Sequence, residues 1–395
     1  MKYSSLSDRL ATLGGHKWKV HELARRMASE GRDIIELTIG EPDVATPASL
    51  VEEACSAMQR GRTGYADGRG ERLLRQALSK RYSQHLSMPI GEQQILCFPG
   101  TQAALYAVMR TIVESGDEVL VGDPMYATYE GVIASSGATM VPIPLRPELG
   151  FRLQAEDLAT KINERTQAVL LNTPHNPTGA VSTPEDIEKI GALVTKHDLW
   201  LVVDEVYEEL VFSNALFCSP LSIKDLADRV VVVSSISKSW AAPGFRSGWC
   251  VAPEDFCTRL LPLSETMLFG NQPFIADMTT LAVSRVSKTA QGMANRFERR
   301  ADLLRRRLHD HTGLKVHQPQ GGMFAVVDVS ATGLTGYEYA IDLLTVQGVA
   351  LMPGNAFGGT LENWVRVALT IDDELFLQAC DRILEHEKAR QEILV

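Results

Sequence analysis

The chain is poor in cysteine, with six among 395 residues, at 55, 97, 218, 250, 257 and 380. No two stand in Cys-x-x-Cys spacing, which argues against a zinc site and against a disulfide framework. No metal is therefore expected, and reduced thiols suit a cytoplasmic protein. Long apolar runs are missing too. None approaches the roughly 18 residues of a membrane span, and Met1–Leu6 has no signal-like apolar core. Positive charge is in deficit: 39 basic against 49 acidic residues leave a net charge of −10. That balance disfavours nucleic acid as a partner. Aromatic residues make up only 7%, so aromatic substrates are not specially indicated. Internal repeats, low-complexity tracts and long linkers are absent.

What is present fits a globular α/β protein of two domains. Apolar residues are 45% and charged residues 22%. The strand-like runs Glu118–Val121, Ala168–Leu171, Trp200–Val203 and Val230–Val233 are continuous rather than alternating in their apolar residues, with only Glu118, at a run's start, charged. This pattern predicts a mostly parallel sheet covered on both faces. Helical stretches separate the runs, and Thr183-Pro184-Glu185-Asp186 reads as a capping box with proline in the first turn. The expected division is a large domain over 46–289 and a smaller α/β domain from 1–45 and 290–395. The crossings fall at Pro42 to Pro47 and near Ser287 to Gln291. The basic cluster of Arg296, Arg299, Arg300 and Arg305 to Arg307 is interleaved with leucines. It reads as the solvated face of an amphipathic helix.

Four segments carry chemistry. Lys238 lies in Ser234-Ser235-Ile236-Ser237-Lys238, directly after four valines, with Arg246 in Pro243-Gly244-Phe245-Arg246 downstream. A lysine at the end of a buried strand has a depressible pKa and suits Schiff-base chemistry. Asp204 ends the run Leu201-Val202-Val203, three residues before Tyr207. A carboxylate there can pair with a protonated ring nitrogen, or serve as the N-cap of a following helix. Asn176 lies in the proline-rich loop Thr173-Pro174-His175-Asn176-Pro177-Thr178-Gly179. Its amide can donate to a phenolate oxygen, whereas His175 reads as a loop residue without a chemical role. Finally, Pro99-Gly100-Thr101-Gln102 opens a helix whose first N–H groups form a phosphate site.

Together these segments resemble the class I, fold type I aminotransferases that depend on pyridoxal 5'-phosphate. The likeness runs from Leu37–Asp43 to Trp364–Val367, and in places it is similar to bacterial arginine–pyruvate transaminases and bacterial aspartate-type enzymes. The resemblance implies that Lys238 holds the cofactor aldehyde and shuttles a proton, while Asp204 pairs with the ring nitrogen. It assigns Tyr207 and Asn176 to the ring oxygen, and Ser235, Arg246 and the amides of Thr101 and Gln102 to the phosphate. Tyr126 would stack on the ring. Arg366 would clamp the substrate carboxylate, helped by Asn176 and the Gly40 backbone. Tyr65 would reach the phosphate of a neighbouring subunit, so a homodimer with shared sites is implied.

Substrate choice is less marked. The loop Ser264–Asn271 contains no arginine or lysine, where dicarboxylate-specific relatives place a partner arginine. Asp67, beside Tyr65, can pair with a cationic side chain or serve as a turn aspartate. Trp18 can cover an alkyl or guanidinium chain. Taken with the resemblance to arginine–pyruvate transaminases, these hints favour an L-amino acid of basic or neutral long-chain type as donor, arginine first, and the resemblance implies the 2-oxo acid pyruvate as acceptor. An aspartate or glutamate aminotransferase and a carbon–sulfur β-lyase use the same scaffold. The effector domain of a transcription regulator is disfavoured, because too few residues precede the fold for a DNA-binding module.

Overall fold

The computed structural model describes residues 2–13, 17–268, 270–309 and 311–394. Gly14, Gly15 and His16 of the N-terminal arm lie outside the described residues, as does Phe269 of the Ser264–Asn271 stretch, whose first four residues end the Glu254–Met267 helix instead of forming a loop. Strand β1 (Ile35–Leu37) belongs to a five-stranded sheet. The next strands form a seven-stranded sheet. They are β2 (Ile95–Phe98), β3 (Glu118–Asp123), β4 (Thr139–Pro144) and β5 (Thr166–Asn172). Then come β6 (Trp200–Asp204), β7 (Val230–Ser235) and β8 (Gly248–Val251). Its spatial order is β2-β8-β7-β6-β5-β3-β4. Pairing is parallel from β7 through β6, β5, β3 and β4, and β8 alone runs against its neighbours. The sheet is mostly parallel, as the continuous apolar runs predict.

Burial on both faces explains those runs. Alternate strand residues point to opposite sides. Val231 and Val233 pack with Leu105 and Val108 of the Thr101–Ile112 helix. Val230 and Val232 pack on the other side with Ile187, Ile190 and Val194 of the Pro184–Lys196 helix. Neither face can be polar, and each valine buried this way stabilises the fold by about 1.5–3 kcal/mol. The second helix starts where its capping box predicts. The Thr183 hydroxyl accepts from the Asp186 amide at 3.2 Å, and the Asp186 carboxylate accepts from the Thr183 amide at 2.9 Å.

The smaller sheet continues with β9 (Lys315–His317), β10 (Phe324–Asp328), β11 (Val349–Pro353) and β12 (Trp364–Ala368). Its order is β1-β11-β12-β10-β9. Val365 and Val367 of β12 enter its core, so Arg366 between them is carried on the opposite face.

One expectation is corrected here. The basic cluster lies on the Lys288–His309 helix, but it is not simply a solvated face. Arg300 is buried, donating to Asp43 at 2.8 Å and to Asp373 at 2.6 Å. Arg296 donates to the same Asp43 carboxylate at 2.9 and 2.8 Å. Burial works to raise the Asp43 carboxyl, and the two guanidiniums overcome it, holding it below its ordinary range. Arg299, Arg305 and Arg306 are exposed, as expected. A sequence window around 300 contains no hint that an aspartate more than 250 residues earlier faces it.

Candidate active site

The carboxyl ends of β5, β6 and β7 and the start of the Thr101–Ile112 helix converge on one cleft of about 230 Å³. Parallel sheets bind ligands at this edge. The cleft is lined by Trp18, Gly40, Thr101, Gln102, Tyr126, Asn176, Asp204, Tyr207, Ser235, Lys238, Arg246 and Arg366. Residues from nine separate stretches of sequence thus meet in one place.

Asp204 is the buried acid of the cleft. Burial pushes its carboxyl up to about 6, against the pull of hydrogen bonds from the Tyr129 hydroxyl and the Val206 amide. The Tyr129 Oη donates to Asp204 Oδ2 at 2.8 Å, and the Val206 N–H donates to Oδ1 at 3.1 Å. Turns rather than a helix follow Asp204, so the helix-capping alternative does not apply. The Asn172 side chain joins two of the segments. Its amide donates to the Asp204 carbonyl at 2.9 Å, and its oxygen accepts from the Asn176 amide at 2.8 Å.

Lys238 stands on the short Ile236–Ser239 helix that follows β7. Its Nζ donates to the Gly40 carbonyl at 3.2 Å. Burial lowers the amine to about 8, so a sizeable neutral fraction exists near neutral pH. Arg366 is buried between two rings, its guanidinium carbon 3.9 Å from the Phe324 centroid and 4.4 Å from that of Phe357. It donates to Asn176 Oδ1 at 3.1 Å and to the Thr38 carbonyl, while its Nε has no partner. Burial lowers even this guanidinium, to about 10. An unpartnered N–H on a stacked guanidinium fits a planar carboxylate.

An anion cradle lies at the start of the Thr101–Ile112 helix. Gly100 adopts φ +95°, and a Cβ there would stand 2.1 Å from Arg246 Nη2. Only glycine lets the guanidinium lie so close to the helix start. Arg246 is tied to the Pro243 carbonyl at 2.8 Å. The Thr101 hydroxyl is buried without a partner. The Ser235 hydroxyl accepts from the Ser237 amide at 3.2 Å, leaving its proton available. Unpaired amides, two hydroxyls and a guanidinium form the donor set a phosphate requires. The buried acid, buried amine and cradle together fit a phosphorylated pyridine aldehyde.

Two expected residues lie elsewhere. Tyr65 is 92% exposed and does not line the cleft of its own chain. Asp67 is also exposed, and its Oδ1 accepts from the Arg69 amide at 2.7 Å, the pattern of a turn aspartate. Their loop packs on the Ser264–Asn271 segment, since a Cβ on Gly270 would stand 2.6 Å from the Asp67 carbonyl. His175 is buried outside the cleft lining and bonded to Thr178 at 2.7 Å, in keeping with a loop role. Trp18 stands in the cleft lining, 37% exposed. Its neighbour Lys17 ties the arm down through the Ala127 carbonyl at 3.2 Å and Glu130 at 3.1 Å.

Tyr129, Asn172, Phe324 and Phe357 were not indicated by sequence. Tyr129 had one available signal: a tyrosine beginning an apolar helix and buried there needs a partner for its hydroxyl.

The family model described as aminotransferase class I and II matches residues 32–383. An arginine–pyruvate transaminase of Pseudomonas aeruginosa is 40% identical over 97% of both chains. An aspartate aminotransferase of Musicola paradisiaca is 29% identical over 96% of both. A solved double mutant of Thermus thermophilus aspartate aminotransferase superposes with a TM-score of 0.91 at 28% identity, covering 98% of this chain and 99% of that one. The chain belongs to the aminotransferase class I and II family, and it is an aminotransferase.

Proposed function

We propose that this aminotransferase uses pyridoxal 5'-phosphate to move an amino group from a basic or neutral long-chain L-amino acid, arginine foremost, to pyruvate. The observation that carries the amino-acid reading is Arg366, with an unpartnered Nε on the same cleft as the Lys238 amine. Thr101, Gln102, Ser235 and Arg246 would hold the cofactor phosphate, Asp204 the ring nitrogen, and Tyr207 and Asn176 the ring oxygen, with Tyr126 against the ring face. Bound there, the cofactor supplies an electron sink for the pair left on the substrate α-carbon.

The protein's own residues do the rest. Arg366 binds the α-carboxylate and fixes the torsion that decides which bond to the α-carbon is weakened. Lys238 Nζ, neutral in part because burial lowers it to about 8, takes the α-proton and returns it elsewhere. Asp204 stays anionic beside a cationic partner and keeps that partner protonated. Trp18, on the arm held by Lys17, covers the mouth and keeps water out.

Three observations support the donor and acceptor: the likeness to the arginine–pyruvate transaminase, the absence of cations in the Ser264–Asn271 stretch, and the indole of Trp18 in the cleft lining. Asp67 can act only in a neighbouring subunit's cleft, which requires the homodimer that Tyr65 also implies. The large domain is assigned to 46–289, with the remainder forming the small one, and the cytoplasm is the proposed compartment. Among the described residues no helix is long and apolar enough to cross a membrane.

An amino-donor screen against pyruvate, read by the loss of cofactor absorbance, tests the reading. Arginine should give the highest kcat/KM. A strong preference for aspartate or glutamate would overturn it, and pyruvate release without any oxo acid acceptor would point to the β-lyase.

A further inference from the structure

A second cavity, of about 350 Å³, lies between the end of the Arg72–Leu86 helix and the chain that follows β6. It shares no lining residue with the active-site cleft. Arg81, Tyr82, Glu205, Glu208, Phe217 and Ser219 line it. Asp204 faces the active site, whereas the next residue, Glu205, faces this second cavity.

Glu205 is fully buried. Its Oε1 accepts from the Ser219 hydroxyl at 2.6 Å, but its Oε2 has no partner. The other carboxylates are already engaged: Arg81 Nη2 donates to Glu208 at 3.0 Å and to Glu209 at 2.9 Å. Three carboxyl groups and one guanidinium thus line the cavity, with Arg81 engaged by Glu208 and Glu209, and His85, whose imidazole burial pushes toward the neutral form, adds no fixed charge. An unmet buried acceptor costs about 1–3 kcal/mol, so a donor that reaches it is favoured. A hard metal ion needs several free oxygen ligands, and the described residues contain no group of three or more that could hold one. Phe217 and Tyr82 supply an apolar, aromatic wall, which suits an organic cation.

We propose that this cavity binds a small organic cation, which donates an N–H to Glu205 Oε2 and lays its apolar part against Phe217. Burial, with Glu208 beside it, raises the Glu205 carboxyl well above the ordinary range. The cation thus displaces a proton from Glu205, and its binding tightens as pH rises. The titratable groups around Glu205 are Arg81, Tyr82, His85, Glu208, Glu209 and Cys218 in the cavity lining, and Asp204 beside it in the chain.

Cys218 gives a local readout. It lines the cavity and is half-buried, Cys55 is exposed, and the other four cysteines are buried. The holoenzyme is alkylated with N-ethylmaleimide at a series of methylguanidinium concentrations, and the two peptides are followed by mass spectrometry. Methylguanidinium is chosen because it does not condense with aldehydes at neutral pH. Labelling of Cys218 should slow several-fold while Cys55 is unaffected. Tetramethylammonium, which carries the charge without an N–H, should protect less than methylguanidinium, and equal protection overturns the role of the N–H. Glu205→Gln should abolish the protection. Equal labelling at every concentration, or protection that survives Glu205→Gln, overturns the proposal. Should that variant fail to fold, the wild type decides. Protection of Cys218 relative to Cys55 must strengthen with pH, and a flat profile overturns it. None of these outcomes depends on which amino acid the active site prefers.

Discussion

The Tyr129 hydroxyl donates to Asp204 Oδ2 at 2.8 Å, and both residues are buried. The bond favours the ionised carboxylate and opposes the burial that lifts Asp204 to about 6. In Tyr129→Phe that support is lost, so the carboxyl rises further. Asp204 must be ionised to receive a cationic ring, so cofactor affinity of the cofactor-free protein should fall as pH drops through about 6. The variant should show the same fall at higher pH. Equilibrium dialysis across a pH series checks the shift, and coincident profiles would show that Tyr129 only fills space.

Lys238 gives two expectations. Borohydride reduction of the holoenzyme followed by peptide mapping should place the pyridoxyl label on Lys238, and a label on another lysine would sink the assignment. The second concerns stability without cofactor. The amine lies at about 8 in the fold against 10.5 as its ordinary value. Between these values the unfolded chain binds more protons, so stability rises with pH there. Below about 8 the burial cost is fully present. Lys238→Met removes it, and at neutral pH the cofactor-free variant should be more stable, by up to about 3 kcal/mol. Urea unfolding at pH 7 and pH 10 measures the gap, which should be largest at the lower pH.

Arg366→Lys keeps the charge and loses the planar fork and its stacking on Phe324 and Phe357. Bidentate recognition should fail, costing roughly ten- to a hundredfold in kcat/KM for every amino acid tested. Cofactor affinity should be unchanged. A loss confined to one donor would mean that Arg366 reads the side chain instead of the carboxylate.

Tyr65 and Asp67 test subunit sharing. Mixing Lys238→Ala with Tyr65→Phe protein should regenerate some intact sites in hybrid dimers, and no gain on mixing would count against partner supply. Asp67→Asn should lower kcat/KM for arginine while sparing alanine. Asparagine retains an oxygen for the Arg69 amide, so the turn survives and the readout isolates the charge. Equal losses for both donors would assign Asp67 to the turn alone.

The large sheet was legible because its strands carry their own signature. Val230–Val233 is apolar on every residue, which only burial on both faces explains, and β7 is buried throughout. Asp204 and Lys238 were legible as candidates because one ends such a run and the other closely follows one. The reversed strand β8 was not, since Gly248–Val251 is too short to show its direction. Arg300 gave no warning either, because its partners Asp43 and Asp373 come from distant parts of the chain. Tyr129 was missed for a related reason. The Asp204 carboxylate that makes its hydroxyl matter is 75 residues away.

Arg366 already has occupied donors before any amino acid arrives, on the Thr38 carbonyl and Asn176 Oδ1. A substrate carboxylate therefore meets one free N–H, at Nε, and gains its second bond only by displacing an acceptor already in place. Exchange of this kind returns only the difference between two hydrogen bonds, on the order of 1 kcal/mol each in net terms. The clamp consequently selects by shape more than it holds by strength. That suits a catalyst obliged to let go of one acid before it can accept the next.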